Sequence, residues 1–283
     1  MIRPQPNLVV MAGGASSRMK KSLRDASISP EIAAAAAKVH KALIPLGKSK
    51  RPLIARLLTH AQKAGYTRVY LIVAEHDTAF QQWWKQLPAT DPLKKLQLYF
   101  AFQNTPNNRE KPLGTADALY QAMLQYPQLQ QSSFTVCNGD NLYGIDSLQQ
   151  LLAPRSAPNA LIAYDREGLQ YPAARIAQFA LLQMDAQGFL IGIVEKPNLE
   201  TLENFRDTEG KLRVSMNIFS LQGDLLFSYF RDCPIDRVRG EKELPQALIN
   251  YIHEYPKKIK CFFETSNVPD LTIIDDTFNF SDN

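Results

Sequence analysis

Short apolar runs and helix-spaced apolar segments take turns along the first half of this chain, and that alternation constrains the fold more than any single motif. Residues 8–12, 69–73, 96–102 and 134–137 read as strands, each a brief run rich in apolar, β-branched or aromatic side chains. Between them, residues 53–64, 79–87 and 116–126 carry apolar side chains at helical spacing. The first of these segments stops at Gly65, which suits a helix C-cap. Strands alternating with helices imply an α/β fold with a mixed, mostly parallel sheet covered by helices on both faces. Ligands bind such sheets beyond the carboxyl ends of the strands, which puts segments 12–18 and 138–144 at a ligand edge.

The second half is richer in strands. Residues 160–164, 177–184, 189–194 and 214–221 read as strands, and the turn Ala186-Gln187-Gly188 makes a hairpin of the middle pair. Helices are expected at 225–230 and 244–255. No repeat or linker interrupts the 283 residues, so a single domain is expected, with a β-rich lobe in its second half. A formal charge of +4 without a dense Lys/Arg stripe suits small anionic ligands and does not point to nucleic acid. No stretch has the length and apolarity of a membrane span, and residues 1–6 lack a signal core. Three cysteines, Cys137, Cys233 and Cys261, show no Cys-x-x-Cys spacing and are expected as free thiols in a reducing cytoplasm. A homo-oligomer stays open.

The first strand runs into Ala12-Gly13-Gly14-Ala15-Ser16-Ser17-Arg18-Met19-Lys20-Lys21. Glycines let backbone N–H groups close on an anion, and Arg18 offers a forked donor set matched to phosphate oxygens. The third glycine of a dinucleotide fingerprint is missing, and Ala42 stands where a P-loop ending at Gly47-Lys48-Ser49 needs glycine. A second strand exit, Asn138-Gly139-Asp140-Asn141, puts a carboxylate at the same edge, where a hard oxygen ligand suits Mg²⁺. His40, His60, His76 and His253 lack metal-ligand spacing and read as surface or packing residues.

Taken in order, these segments resemble the sugar-1-phosphate nucleotidylyltransferases, whose first loop reads roughly Leu-Ala-Ala-Gly-x-Gly-x-Arg. His40-Lys41-Ala42-Leu43-Ile44-Pro45 resembles the family's Pro-Lys-x-Leu-x-Pro, with His40 in place of the proline. Lys41 follows Arg18 by 23 positions, wider than usual for the family because of an alanine-rich insert at 22–39. Pro112-Leu113-Gly114-Thr115-Ala116 resembles the Pro-x-Gly-Thr-Ala segment that meets the nucleotide base, and Gly114-Thr115 also reads as a helix N-cap. Gln103 is the candidate base-reading glutamine, although Arg109 stands at the usual distance from that glycine. Glu195-Lys196-Pro197 resembles the family's Glu-Lys-Pro, and 215–217 stands where the family more often has Asn-Ala-Gly. Glu264 aligns loosely with a metal-binding aspartate near the end of the family's domain.

The resemblance implies a Rossmann-like fold of the nucleotide-diphospho-sugar transferase type. Its nucleotide-binding half would span about 1–145 and its sugar-binding half about 146–283. It implies Mg²⁺ as cofactor, a nucleoside triphosphate and a sugar-1-phosphate as substrates, and an NDP-sugar and pyrophosphate as products. Ala12, Gly13, Gly14, Ser16, Ser17, Gln103, Arg109, Gly114 and Thr115 would hold the nucleotide. Arg18 and Lys41 would neutralise the phosphates, Asp140 and Glu264 would hold the metal, and Glu195, Lys196, Ser215 and Asn217 would bind the sugar phosphate. The Gly-Asp-Asn segment is most like the thymidylyl- and uridylyltransferase branch, which favours UTP or dTTP. The rival readings are a non-catalytic sugar-nucleotide sensor and a cytidylyltransferase acting on a non-sugar phosphate. A glycosyltransferase is disfavoured because position 138 of the would-be Asp-x-Asp is Asn.

Overall fold

The computed structural model describes residues 1–14, 40–195, 197, 199–272, 276 and 280, with the backbone alone at 199–201. The expectations for Ser16, Ser17, Arg18, Lys196 and the insert 22–39 therefore lie outside the described residues.

Strand β1 (Asn7–Met11) shows how the sheet is covered. Leu8 and Val10 enter one apolar layer and Val9 the other, because side chains alternate across a strand. All three are fully buried, and each such aliphatic side chain contributes about 1.5–3 kcal/mol by leaving water. The first layer receives helices α1 (Leu53–Ala64), α2 (Ala79–Gln86) and α4 (Ile145–Leu152). The second receives α3 (Thr115–Gln125), α6 (Gly223–Arg231) and α7 (Leu244–Glu254). Helices thus cover both faces of the sheet. Helix α1 ends where expected, at Gly65 with φ +106°, whose N–H turns back to the carbonyls of Ala61 and Gln62.

The remaining strands are β2 (Pro45–Leu46), β3 (Arg51–Pro52), β4 (Arg68–Ala74), β5 (Gln97–Gln103), β6 (Ser133–Asn138), β7 (Asn159–Asp165), β8 (Leu181–Met184), β9 (Leu190–Val194), β10 (Arg213–Gln222) and β11 (Ile259–Glu264). Strands β2 and β3 form a small separate ladder. The main sheet runs β11-β7-β10-β6-β1-β4-β5, with the β8–β9 hairpin attached to β10. Pairs β6–β1, β1–β4, β4–β5 and β7–β11 are parallel, and β10 runs antiparallel to both of its neighbours. A late strand, β10, therefore sits between β6 and β7, so one sheet passes through both halves of the chain.

Two local expectations change. The stretch 177–184 is a strand only from Leu181, because Pro172 opens a single helical turn, α5 (Ala173–Ile176), that ends at Ala177. Helix α4 was not anticipated, although Ile145, Leu148, Leu151 and Leu152 stand at helical spacing. Its eight residues between Gly144 and Pro154 give the pattern barely two turns. The β8–β9 turn forms as expected, with Asp185 Oδ1 accepting from the N–H groups of Gln187 and Phe189 at 2.9 Å each. Among the described residues, no helix is long and apolar enough to cross a membrane.

Candidate active site

A cleft of about 380 Å³ opens at the carboxyl ends of the parallel strands. Met11, Ala12, Gly13 and Gly14 from the exit of β1 line it, together with Gln103 from the end of β5 and Asn138 and Asp140 from the end of β6. Gly139 lets the exits of β6 and β1 close up. A Cβ there would stand 3.1 Å from the Met11 carbonyl oxygen and 3.2 Å from the Ala12 Cβ, while its own N–H donates to that carbonyl at 2.9 Å.

Lys41 reaches this edge from the segment after the insert, and its Nζ donates to Asp140 Oδ2. Their side chains are 12% and 24% exposed, so the pair sits at the rim of the cleft rather than in bulk solvent. His40, which stands at the family's proline, is a wall of the site and a packing residue, one of the two readings its spacing left open. Its Nδ1 accepts from the Ala42 N–H at 3.2 Å. The proton therefore belongs on Nε2, which lies 3.0 Å from the Gly14 carbonyl oxygen and donates to it. The ring leans on Phe80 at 5.0 Å between centroids. Burial, and then the Lys41 charge, push the His40 pKa down to about 4, so the ring is neutral at pH 7. His40 thus ties Lys41 to the end of the glycine loop.

The opposite wall is Lys111, Pro112, Gly114 and Thr115, with Glu241 beside them. Gly114 adopts φ +116°, and a Cβ on it would stand 2.4 Å from the Lys242 carbonyl oxygen. Glycine is required here by the close approach of 242. Gly114 is the N-cap of α3, as expected, with no side-chain cap bond to that helix's own N–H groups. Instead the two segments cap each other: Ala116 N–H donates to Lys242 O at 3.0 Å, and Leu244 N–H, at the start of α7, donates to Thr115 Oγ1 at 2.8 Å. Gln103 is buried at the end of β5 and donates from Nε2 to the Gly114 carbonyl at 2.9 Å. Arg109 does not line the cleft; its Nη2 donates to the Gly240 carbonyl at 2.6 Å, which steadies the same 236–244 loop.

Glu264 is not brought to Asp140. It ends β11, and its Oε1 accepts from the N–H groups of Thr265 and Ser266 at 2.8 and 3.0 Å. Strands β7 and β10 lie between β11 and β6, an offset of about 14 Å at roughly 4.8 Å per strand. The chain then returns along the edge, where Asn141 and Asp270 form an antiparallel bridge. Leu271 N–H donates to Asp140 O and Leu142 N–H to Pro269 O, both at 2.8 Å. The second carboxylate beside Asp140 is therefore Asp270. Burial first, then the negative charge of Asp140, raise its pKa, against the pull of Arg175 Nη2 at 2.7 Å. Arg175, from α5, also holds Asp276 at 2.7 Å.

Of the expected sugar-side residues, the described Glu195, Ser215 and Asn217 are not among those lining the cleft. Glu195 Oε2 faces Arg239 Nη2 at 3.4 Å. Ser215 and Asn217 form the bulge where β10 shifts register against β7, with the Asn217 N–H donating to Ser215 Oγ at 3.2 Å. Asn217 has φ +55°, a left-handed conformation that asparagine tolerates better than most residues. That explains why it stands where the family more often has glycine. The Tyr143 hydroxyl holds the bulge, donating to Met216 O at 2.7 Å. No cluster of three or more His, Cys, Asp or Glu side chains suited to a metal occurs among the described residues.

Comparison with known proteins agrees with this geometry. Glucose-1-phosphate adenylyltransferase 1 of Vibrio vulnificus is 28% identical over 115 residues, 41% of this chain and 27% of that protein. Its counterpart from Vibrio parahaemolyticus is 30% identical over 117 residues, with the same shares. The match thus spans about a quarter of the length of these curated relatives. In fold, the chain is similar to UDP-glucose pyrophosphorylase solved with UDP-glucose, with a TM-score of 0.67 at 15% identity over 99% of this chain and 97% of that one. It is also similar to HddC from Yersinia pseudotuberculosis, with a TM-score of 0.61 at 17% identity over 96% of both chains. A family model described as nucleotidyl transferase matches residues 8–264. The chain therefore belongs to the nucleotidyl transferase family, the sugar-1-phosphate nucleotidyltransferases that its motifs resemble, and has their mixed, mostly parallel sheet.

Proposed function

We propose that this protein transfers a nucleoside monophosphate from a nucleoside triphosphate to a sugar-1-phosphate and releases pyrophosphate. The observation that carries the reading is the Lys41–Asp140 pair, set at the rim of a cleft between a glycine-rich strand exit and the Gly114 wall. Both substrates are polyanions, and two unit charges about 4 Å apart repel by about 1 kcal/mol in water and by several times more in a dry site. Neutralisation and alignment are therefore the main tasks, and no general base is needed because the attacking phosphate oxygen is already ionised. Lys41 supplies positive charge where the leaving phosphates collect, and His40 keeps it in register with the glycine loop. Arg18 is assigned to the same task and Lys196 to the sugar phosphate.

The donor set fits a divalent cation. Asp140 and Asp270 offer two hard-oxygen groups on segments joined by the Asn141–Asp270 bridge, and burial first, then the negative charge of Asp140, raises the Asp270 pKa. These two residues, in place of Asp140 and Glu264, would hold Mg²⁺, which when bound withdraws charge from the phosphate oxygens. We assign residues 1–145 to the nucleotide and 146–283 to the sugar, with UTP or dTTP as the favoured donor. The names of the Vibrio relatives make ATP the competitor to test. Pyrophosphate release across UTP, dTTP, GTP, CTP and ATP, each paired with common hexose-1-phosphates, decides the matter. Release with at least one pair is expected, and silence across the matrix with nucleotide still bound would leave the chain a sensor.

A further inference from the structure

We propose that the amino edge of the sheet, opposite the cleft, carries a second small-molecule site whose ligand is a sugar phosphate. A pocket of about 510 Å³ opens there. Asn7, Arg68 and Ser133, which start the parallel strands β1, β4 and β6, line it together with Gln222, which ends the antiparallel β10. Strand β1, five residues long, sets the pocket about 15 Å from its own exit into the cleft, at roughly 3.3 Å per residue.

The charge of this pocket is one-sided. Arg3 and Arg68 line it, and no aspartate or glutamate does. Both arginines are exposed, and neither guanidinium has an ion pair or a hydrogen bond among the described residues. Two forked donor sets on one hollow, with no carboxylate between them, suit the oxygens of a phosphate.

The inner wall lacks a donor. Asn7 is 4% exposed. Its Nδ2 donates to the Ser133 carbonyl at 3.1 Å, so turning the amide over would set oxygen against oxygen. Oδ1 is therefore the acceptor, and it is the one buried side-chain polar atom among the described residues that no donor reaches. Such an atom is costly to leave unmatched, and a ligand hydroxyl would match it. The exposed side chains of Arg3, Gln5, Arg68 and Gln131 line the same pocket without hydrogen bonds among the described residues, so they can shift to admit a ligand. Tyr70 adds a donor: its hydroxyl accepts from Gln128 Nε2 at 3.3 Å, which leaves the phenol proton for a ligand oxygen. Cations for a phosphate, and an acceptor with a donor for hydroxyls, are the two needs that a sugar phosphate meets in one molecule.

Two solvated arginines over a wet hollow would hold phosphate weakly and ignore the hydroxyls. Titration calorimetry of the full chain with glucose-6-phosphate, methyl phosphate and glucose separates the two cases. We expect glucose-6-phosphate to bind at least about tenfold more tightly than methyl phosphate, the scale of one hydrogen bond to a buried acceptor. Glucose alone should give no binding heat. Arg3→Gln combined with Arg68→Gln should weaken glucose-6-phosphate at least about tenfold. The same double variant should keep its melting temperature and its pyrophosphate release, because both side chains are exposed and far from the cleft. Sugar phosphate held in the cleft would instead bind the double variant undiminished. That result, equal binding of glucose-6-phosphate and methyl phosphate, or no binding of either up to about 10 mM, overturns the inference. None of these outcomes touches the functional reading above, which pyrophosphate release tests separately.

Discussion

The two wings of the sheet treat the same kind of residue differently. On the β5-β4-β1-β6 wing, four neighbouring parallel strands all end at one edge. Gly13, Gln103 and Asp140, which follow or end their strands, consequently meet in one cleft. On the β10-β7-β11 wing, β11 ends at that edge too, yet its terminal Glu264 lies two intervening strands away from β6. Strand β10 runs the other way, so Ser215 and Asn217 fall in a bulge within it and not at a carboxyl end. A strand end thus specifies an edge, while the order of the strands specifies who is whose neighbour along it.

The strongest way to break this comparison is to remove the charge on the first wing. Lys41→Ala should lower kcat by roughly a hundredfold to a thousandfold, the effect of deleting a preorganised charge worth about 3–4 kcal/mol. A thermal melt should show little change, since Lys41 sits at the rim. Near-normal turnover would mean that another cation fills the role. Gly114→Ala should come next, at about 3 kcal/mol of stability lost in denaturant unfolding, because φ +116° and the 2.4 Å approach to Lys242 O both forbid a Cβ. A loss below about 1 kcal/mol would show that the 236–244 loop yields easily.

His40 offers a test by pH. Its native pKa of about 4 lies below the ordinary 6.5, so the unfolded chain binds the extra proton first as pH falls. The stability attached to the neutral ring is full above pH 6.5 and is lost on the way down to about 4. Between pH 7 and 5 the loss should be about 1–2 kcal/mol, and His40→Gln should flatten that slope in unfolding curves. An unchanged slope would remove His40 as the clamp. The smallest effects sharpen the comparison itself. Asp270→Asn should raise the Mg²⁺ concentration for half-maximal rate about tenfold, on the order of 1.4 kcal/mol, whereas Glu264→Gln should leave it unaltered. The reverse pattern would mean that the metal sits nearer β11 than the strand order allows.

Helix α1 with its Gly65 stop, the parallel strands and the Gly-Asp exit were all legible in the sequence, because each depends on local periodicity and backbone freedom. The places of Asp270 and Arg175 were not, since nothing local distinguishes them from other polar residues in loops or short helices. The place of His40 in the cleft was not legible because its partners, Gly14 and Phe80, lie 26 and 40 positions away in the chain. The sequence by itself determined that this chain forms a helix-covered, mostly parallel sheet and which edge of it carries the cleft. Tertiary structure decided which carboxylate stands next to Asp140, because inserting β10 and β7 between β6 and β11 carries Glu264 away and leaves the returning chain to set Asp270 there.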